Sequence, residues 1–451
     1  MTQAEYKRRR RALAAAIGHD GIAILPAASE VVRNRDVHHP FRQSSDFSYL
    51  SGFPEPDAFL VLAPKRKEGE YVLFCRPRDP ERERWDGARV GVEGATADYQ
   101  ADQAYPLAEL DAVMPTLIDG RARLFYPIGT DAALDARVMG WVNRVRANVR
   151  AGASAPDTFV TIESILHEMR LRKSPAEIKR MRHAAEISAA AHSHLMRICT
   201  PGLNESHLEA EFHHACALAG ARFQAYSPIV GGGANACVLH YVENRAPLRD
   251  GDLVLIDAGC ELDGYASDIT RTFPVNGRFS PPQRALYELV LEAQRAAIAK
   301  AKPGHRWNEP HDAAVKVLTK GLIRLGILEG KLSKLIEEEA HKPFYMHRTG
   351  HWLGMDVHDV GSYKQEGQWR PFEPGMVLTV EPGLYLADDP AIPEPYRHIG
   401  IRIEDDVLIT EDGYEILSAG VPKDPDAIES LMSTRGSRVK PRETGLKTRQ
   451  R

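Results

Sequence analysis

Two segments of the chain repeat one chemical pattern, an apolar run that ends in a carboxylate and a glycine turn. Residues 253–259 read Leu-Val-Leu-Ile-Asp-Ala-Gly, and residues 376–383 read Met-Val-Leu-Thr-Val-Glu-Pro-Gly. The apolar runs predict buried strands. Each strand would therefore deliver a carboxylate, Asp257 or Glu381, to the turn that follows it.

A second stretch with its own carboxylate follows each of these segments. Residues 265–273 carry Asp268, residues 399–407 carry Glu404, and both stretches read as continuous strands. The repeat predicts two similar hairpins that face one another across a pseudo-twofold axis.

The four carboxylates need a common explanation, because Asp and Glu are rarely buried unless they are paired, protonated or bound to a metal. If they converge, each negative charge raises the pKa of the others. Two divalent cations would cancel the four charges. The alternative is that each carboxylate separately reaches water or an arginine at a strand edge, and the repetition favours the shared metal site.

A histidine-rich segment at 346–359 offers the remaining ligand. His347 and His351 are four residues apart, as in helical zinc proteases, but no Glu adjoins the first His, and Gly350 and Gly354 disfavour a helix. We therefore expect a turn-rich site. Oxygen-rich ligation with one imidazole suits Mn²⁺ or Co²⁺, with Zn²⁺ or Fe²⁺ as alternatives. Two such cations make hydroxide available at neutral pH, which points to hydrolysis.

The elements that position these residues predict two domains. The first 170 residues or so alternate short strands and helices, a mixed α/β pattern. Ser174, Pro175 and Glu177 have the spacing of a helix start, so we place a boundary between 1–173 and 174–433. The second domain reads as α+β, with long Ala-rich helices followed by strands, tight turns and two further helices. The basic stretch 434–451 reads as a disordered tail rather than a binding arm.

Composition narrows the class of protein. The chain has 451 residues, is 43% hydrophobic and 27% charged, and carries a formal charge of −4, which excludes disordered, collagen-like and coiled-coil proteins. No run approaches the ~20 apolar residues of a membrane helix, and the near-neutral charge gives no footprint for nucleic acid. Five scattered cysteines indicate reduced packing residues and a cytoplasmic protein. The basic, Ala-rich start imitates a signal peptide but is interrupted at His19 and Asp20, so we expect an amphipathic helix leading into a strand.

The sequence resembles the pita-bread metallopeptidases, and within them the proline-specific aminopeptidases (aminopeptidase P, Xaa-Pro aminopeptidase). The resemblance runs from Phe-Arg-Gln-Ser-Ser-Asp-Phe-Ser-Tyr-Leu-Ser-Gly-Phe at 41–53 to Gly-Ile-Arg-Ile-Glu-Asp-Asp at 400–406. It implies a pita-bread catalytic domain of the α+β class behind a mixed α/β, creatinase-like N-terminal domain. The implied reaction removes the first residue from peptides with proline second, through a hydroxide that bridges two divalent metals, most simply Mn²⁺, with Co²⁺ or Zn²⁺ as alternatives.

The resemblance also assigns five metal ligands. It implies that Asp257 chelates one metal, that Asp268 and Glu404 bridge both, and that His351 and Glu381 complete the other. Glu381 would also carry the proton of the attacking water.

Further matches concern the substrate. His240 and His358 match histidines that steady the scissile carbonyl, and the matches to the wall of the proline pocket are His347, Tyr385 and Arg402. In the bacterial type, subunits of a homodimer or homotetramer limit the space beyond the first residue. The matching positions for that wall are Asp36 and Trp85.

Three other functions compete with this interpretation. A prolidase would share the metals but accept only Xaa-Pro dipeptides, and a non-enzymatic relative would bind peptides without cleaving them. The third is a dinucleotide-binding protein, because Gly-Gly-Gly-Ala-Asn-Ala at 231–236 precedes Asp257 by about twenty residues. We disfavour it because residues 237–242 read as a strand where that motif requires a helix.

Overall fold

The computed structural model describes residues 1–434. They form two compact units, Met1–Arg170 and a second unit that starts at Leu171. The predicted basic tail, apart from Thr434, lies outside the described residues. Within residues 1–434, no helix is long and apolar enough to cross a membrane.

The N-terminal unit is built on a six-stranded mixed sheet in the order β6-β5-β4-β1-β7-β8. Its strands are β1 (Gly21–Pro26), β2 (Val32–Asn34), β3 (Val37–His38), β4 (Phe59–Leu62), β5 (Tyr71–Cys75), β6 (Gln103–Pro106), β7 (Arg123–Tyr126) and β8 (Thr158–Thr161). Its helices are α1 (Gln3–Ile17), α2 (Ser45–Ser51), α3 (Pro80–Asp86), α4 (Gly91–Ala97), α5 (Leu110–Ile118), α6 (Ala132–Ala147) and α7 (Glu163–Leu171), whose last residue begins the second unit.

Helix α1 leads directly into the centre of this sheet, as the sequence predicts. Strand β1 pairs with β4 in antiparallel and β7 in parallel fashion. The helix buries Arg9 and Arg10, whose guanidinium groups donate to the carbonyl oxygens of Tyr49 and Leu50 at 2.9 Å. Two of the basic residues in this segment, Arg9 and Arg10, therefore stabilise the fold.

The second unit begins with long helices and continues with short antiparallel sheets. Its helices are α8 (Pro175–Ile198), α9 (Glu205–Leu218), α10 (Pro281–Ile298), α11 (Asn308–Arg324), α12 (Leu332–Glu337) and α13 (Pro425–Ser433). Its strands are β9 (Phe223–Gln224), β10 (Ile229–Gly232), β11 (Leu253–Asp257), β12 (Cys260–Leu262), β13 (Tyr265–Ala266), β14 (Thr270–Pro274), β15 (Lys364–Gln365), β16 (Gln368–Trp369), β17 (Val377–Val380), β18 (Gly383–Leu386), β19 (Ile399–Arg402), β20 (Asp405–Ile409) and β21 (Tyr414–Ile416).

Helix α8 starts where the capping pattern predicts. Pro175 is its first residue, and the Glu177 carboxylate accepts a hydrogen bond from the Ser174 amide at 2.9 Å. The helix buries its Ala-rich face in the main core of the unit, against the first of the two repeated hairpins.

The two repeated segments form matching hairpins that lie side by side. Strand β11 pairs with β14, and β17 pairs with β20, both antiparallel. The Glu404 amide donates to the Thr270 carbonyl at 3.1 Å, and the Thr272 hydroxyl donates to the Arg402 carbonyl at 3.0 Å. The packing of one hairpin on the other brings the carboxylates of both to the same place.

Three predicted strands are wrong in detail. The stretch 265–273 is divided into β13 and β14, and 399–407 is divided into β19 and β20. Residues 237–242 form no strand, because a 3-10 turn over Gly233–Cys237 is followed by irregular chain. No α-helix follows the glycine motif there, so the objection to a dinucleotide site still holds.

Candidate metal centre and its cavity

Each of the four carboxylates lies at the end of a strand or at a break between two strands. Asp257 is the last residue of β11, Asp268 lies between β13 and β14, Glu381 follows β17, and Glu404 precedes β20. A break in the ladder releases the backbone from its regular pairing, so the side chain can leave the face that the pleat would impose. The breaks turn these side chains toward one point.

Two glycines permit the close backbone approach that this convergence requires. A Cβ atom on Gly259 would lie 1.7 Å from the Ser267 carbonyl oxygen, and one on Gly350 would lie 2.0 Å from the Thr379 carbonyl oxygen. The first contact holds the segments of Asp257 and Asp268 together, and the second seats His351 beside β17.

The ligand atoms of Asp268, His351 and Glu404 lie within 4.8 Å of one another. The His351 Nε2 atom is 3.4 Å from Asp268 Oδ2 and 3.6 Å from Glu381 Oε1. The Nδ1 atom lies 3.0 Å from the Trp352 carbonyl oxygen, which fixes the proton there and turns Nε2 toward the carboxylates. This imidazole orientation is the one that a metal ligand requires.

Arg402 neutralises one member of the cluster. Its Nη2 atom donates to Asp257 Oδ2 at 2.6 Å, and its Nε atom donates to the Thr270 hydroxyl at 3.2 Å. Thr270 in turn donates to Glu404 at 2.7 Å. Burial alone would raise the pKa of Asp257, but the Arg402 charge and the hydrogen bonds from Tyr226 and Arg402 together outweigh burial, and the pKa is lowered.

Within residues 1–434, no arginine or lysine pairs with the other three carboxylates, and the cation beside Asp268 and Glu381 is the His351 imidazole. Burial, followed by the neighbouring negative charges, raises the pKa of Glu404 well above its ordinary value, and burial raises the pKa of Glu381 to about 7. Burial and Asp257 also raise the pKa of Asp268. Burial lowers the pKa of His351, but the facing carboxylates raise it by more, to about 9. The cluster therefore favours additional positive charge, and its carboxylate and imidazole donors fit divalent Mn²⁺, Co²⁺ or Zn²⁺.

Tyr226 belongs to this cluster although the sequence analysis missed it. Its hydroxyl lies 2.5 Å from Asp257 Oδ1 and 2.5 Å from Asp268 Oδ1. A hydroxyl has only one hydrogen to donate, so one of the two carboxylates faces its lone pairs unless a proton or a cation intervenes. The surrounding sequence, Ala-Tyr-Ser-Pro, has no periodicity that would have singled it out.

The cluster forms the floor of a cavity of about 520 Å³ in the second unit. All five predicted ligands line it, as do His240, His347, His358 and Arg402. His240 and His358 are exposed, and the His358 ring centre lies 4.3 Å from that of His351. The predicted histidines thus reach one space from separate parts of the chain.

Tyr385 lies behind the cavity wall. Its hydroxyl is 2.8 Å from His347 Nε2 and accepts a hydrogen bond from Arg402 Nη1 at 2.9 Å. Burial lowers the pKa of His347 to about 4, aided by the Arg402 charge, so this imidazole is neutral at pH 7. Tyr385 therefore holds a neutral imidazole beside the charged Arg402 in the cavity wall.

Two predicted site residues belong to the N-terminal unit. Asp36 lies in the turn between β2 and β3, and Trp85 near the end of α3 is 86% exposed. Neither is among the residues that line the cavity of the second unit.

Known families and proteins match nearly the whole chain. Residues 179–411 match metallopeptidase family M24, and residues 6–126 match the aminopeptidase P N-terminal domain. The Xaa-Pro aminopeptidase of Escherichia coli is 47% identical over 96% of this chain and 98% of its own length. Human Xaa-Pro aminopeptidase 3 is 36% identical over 96% of this chain and 86% of its own length.

Solved structures agree with these matches. Pseudomonas aeruginosa aminopeptidase PepP is 56% identical, with a TM-score of 0.95 over 96% of this chain and 98% of that one. Zn-substituted Escherichia coli aminopeptidase P in complex with product is 46% identical, with a TM-score of 0.94 over 97% of this chain and all of that one. The fold is therefore the predicted one, a pita-bread α+β domain that follows a mixed α/β domain. The chain belongs to metallopeptidase family M24, in the group that carries an aminopeptidase P N-terminal domain.

Proposed function

We propose that this protein is a metal-dependent aminopeptidase that releases the first residue from peptides with proline in the second position. The observation that carries the proposal is the convergence of four carboxylates and His351 on the floor of one open cavity. Relatives named Xaa-Pro aminopeptidase match the chain over nearly all of its length, which supports the same activity here.

We assign two divalent cations to the cluster, Mn²⁺ first and Co²⁺ or Zn²⁺ as alternatives. In this assignment Asp257 would hold one cation, His351 and Glu381 would hold the other, and Asp268 and Glu404 would serve both. Four carboxylates and one imidazole match the preference of these ions for oxygen and nitrogen donors. When bound, the pair supplies positive charge that acidifies water and polarises a peptide carbonyl.

Glu381 has the chemistry of a proton carrier. Its carboxylate lines the cavity beside His351, so it can reach a water at the cluster and exchange a proton with it. An Xaa-Pro bond has no N–H, and its leaving group is a secondary amine that must gain a proton. We propose that Glu381 takes a proton from the attacking water and delivers it to the proline nitrogen.

The histidines and Arg402 would orient the peptide. His240 and His358 are exposed in the cavity near the ligands and can donate to the carbonyl oxygen as negative charge develops there. His347 and Arg402 are both held by Tyr385. Together they form a rigid wall against which we place the proline ring.

The N-terminal domain would limit the space beyond the first residue of a bound peptide. We propose that the chain forms a homodimer or homotetramer in which Asp36 and Trp85 contribute to that limit. The exposure of Trp85 and of Val31, Val32 and Val37 in the β2–β3 hairpin supports an oligomer, because such apolar surface is normally covered. The free cysteines support a reducing, cytoplasmic location.

The test compares three substrates after the metal has been stripped and Mn²⁺ restored: a dipeptide Xaa-Pro, a tripeptide Xaa-Pro-Yaa, and a longer peptide that begins Xaa-Pro. Metal-dependent release of the first residue from the two longer peptides is expected. Cleavage of the dipeptide alone would identify a prolidase instead. No cleavage of any substrate would favour a non-enzymatic peptide-binding protein.

The role of Glu381 has its own test. Glu381→Ala should abolish turnover. Glu411→Ala is the matched control, because Glu411 is exposed and is not one of the five predicted metal ligands. Near-normal activity of Glu381→Ala would refute the proton-carrier role. His358→Ala should lower kcat with metal still bound, and loss of metal from this variant would make His358 a ligand.

A further inference from the structure

Three cations surround one tryptophan beside the cavity. Arg348, which lines the cavity, places its guanidinium carbon 6.0 Å from the centre of the Trp369 ring, and the Lys364 ammonium lies 4.4 Å from the same centre. The Arg306 Nη1 atom donates to the Trp369 carbonyl at 2.6 Å. We call these four residues the Trp369 rim.

In the described part of the chain, no close ion pair balances the positive charge of the rim, and the Glu339 carboxylate interacts with Arg348 only from a longer distance. Within residues 1–434, no carboxylate lies within 4.0 Å of a side-chain nitrogen of Arg306, Arg348 or Lys364, and all three residues are exposed. Arg402, the other arginine of the cavity, is instead committed to Asp257. Like charges gathered at one ring repel one another, so an anion placed among them gains from all three.

One residue of the rim, Arg348, is the chain neighbour of one residue of the cavity wall, His347. Arg348 follows His347, and the His347 Nδ1 atom lies 2.7 Å from the Arg348 carbonyl oxygen. The contact with Trp369 restricts the long Arg348 side chain before any ligand arrives, which reduces the entropy lost on binding. Because His347 and Arg348 line the same cavity, a peptide that lies against His347 comes close to the Arg348 side of the rim.

We propose that the Trp369 rim binds a carboxylate of the peptide downstream of proline. This inference rests on the proposed function and specifies its substrate class. A guanidinium pairs with a carboxylate through two parallel hydrogen bonds, which is the geometry that Arg348 offers. The rim repels the N-terminal ammonium and so also favours the productive direction of the peptide. The carboxylate is either the C-terminus of a tripeptide or an acidic side chain of a longer peptide.

The experiment measures kcat/KM of the Mn²⁺-loaded protein on Ala-Pro-Ala and on its C-terminal amide. The readout is the acid-to-amide ratio within each variant. The variants are Arg348→Gln, Arg348→Glu and the double variant Arg348→Gln/Lys364→Gln. Arg324→Gln is the matched control, because Arg324 is exposed at the end of α11 and lines no part of the cavity.

We expect a ratio of about three to ten for the unmodified protein and for Arg324→Gln, the range of a partly exposed ion pair. The ratio should fall toward one in Arg348→Gln and below one in Arg348→Glu, and it should decrease with added salt. The inference would be overturned if the unmodified protein showed a ratio of one both for this pair of substrates and for the pair described next. An unchanged ratio in the double variant would also overturn it. If neither peptide is cleaved, the proposed function itself has failed.

A second pair of substrates distinguishes the two carboxylate sources. Ala-Pro-Asp-Ala amide and Ala-Pro-Asn-Ala amide both lack a free C-terminus. A preference for the Asp peptide that Arg348→Gln abolishes would identify an acidic side chain as a ligand of the rim. A preference confined to the tripeptide acid would identify the peptide C-terminus.

Discussion

We expect His192 to make the stability of the second unit dependent on pH. It lies on α8 with no solvent exposure, directly beneath the turn that follows Asp257. Its Nε2 atom is 2.9 Å from the Ala258 carbonyl oxygen, and its ring packs edge-on against Phe212. The neutral imidazole fits this site with one donor, whereas the imidazolium would bury a charge with no partner at Nδ1.

The size and sign of the effect follow from the pKa. Burial lowers the pKa of His192 to about 4, against 6.5 for an ordinary histidine. As pH falls, His192 therefore binds a proton in the unfolded chain before it does so in the folded protein. Its contribution to stability is present above pH 6.5 and is lost as the pH falls from 6.5 to 4. At pH 5 the loss is about 2 kcal/mol, and below pH 4 it approaches about 3 kcal/mol.

The assay is urea unfolding at pH 7 and pH 5 in the presence of EDTA, so that loss of metal does not add to the change. His192→Gln keeps an N–H donor for Ala258 but cannot titrate. It should lose about 2 kcal/mol less than the unmodified protein between the two pH values. His183→Gln is the matched control, because His183 lies on the same helix and is exposed.

Every other titrating group is common to the proteins compared and cancels in the difference. Equal losses of stability in His192→Gln and the unmodified protein would therefore refute the reasoning. A difference of similar size in His183→Gln would also refute it, since that side chain has no buried charge to avoid.

Three further substitutions test the framework of the site. Tyr226→Phe should weaken Mn²⁺ binding by about 10- to 100-fold in a competition titration, because it removes the hydroxyl shared by two ligands; unchanged affinity would contradict this role. Lys173→Met breaks an ion pair with Asp359 in which both side chains are 1% exposed, and it should cost about 3–5 kcal/mol in urea unfolding, largely recovered by adding Asp359→Leu. Gly259→Ala should abolish metal binding because its Cβ meets a carbonyl oxygen at 1.7 Å, whereas Gly413→Ala, with no atom within 4 Å, should be neutral in the same titration.

The sequence predicts the hairpins and the start of α8 because each depends on local chemistry. The apolar runs before Asp257 and Glu381 need burial whatever surrounds them, and Ser174 and Pro175 define a helix start within a few residues. Such signals do not depend on distant parts of the chain. The number of candidate carboxylates was also small, since a charged group inside an apolar run is rare.

The errors arose where distant contacts override local preference. Residues 265–273 are interrupted because the Asp268 amide donates to Asp406 at 3.2 Å, across 138 positions of sequence. Residues 237–242 are rich in β-branched and aromatic types, yet the Tyr241 hydroxyl is bound by Glu205 at 2.9 Å and the chain stays irregular. A strand pattern in the sequence cannot reveal either contact. Tyr226 was missed for the same reason, because its partners are 31 and 42 residues away.

The repeated hairpins do more than supply ligands in pairs, because each hairpin holds a ligand of the other. Arg402 of the second hairpin neutralises Asp257 of the first, and Thr270 of the first donates to Glu404 of the second. Arg402 also donates to Tyr385, which holds His347 in the cavity wall. A change at Arg402 therefore alters the charge on a metal ligand and the shape of the wall together. A rise in KM in such a variant cannot be assigned to peptide contacts unless the metal affinity is measured in the same variant.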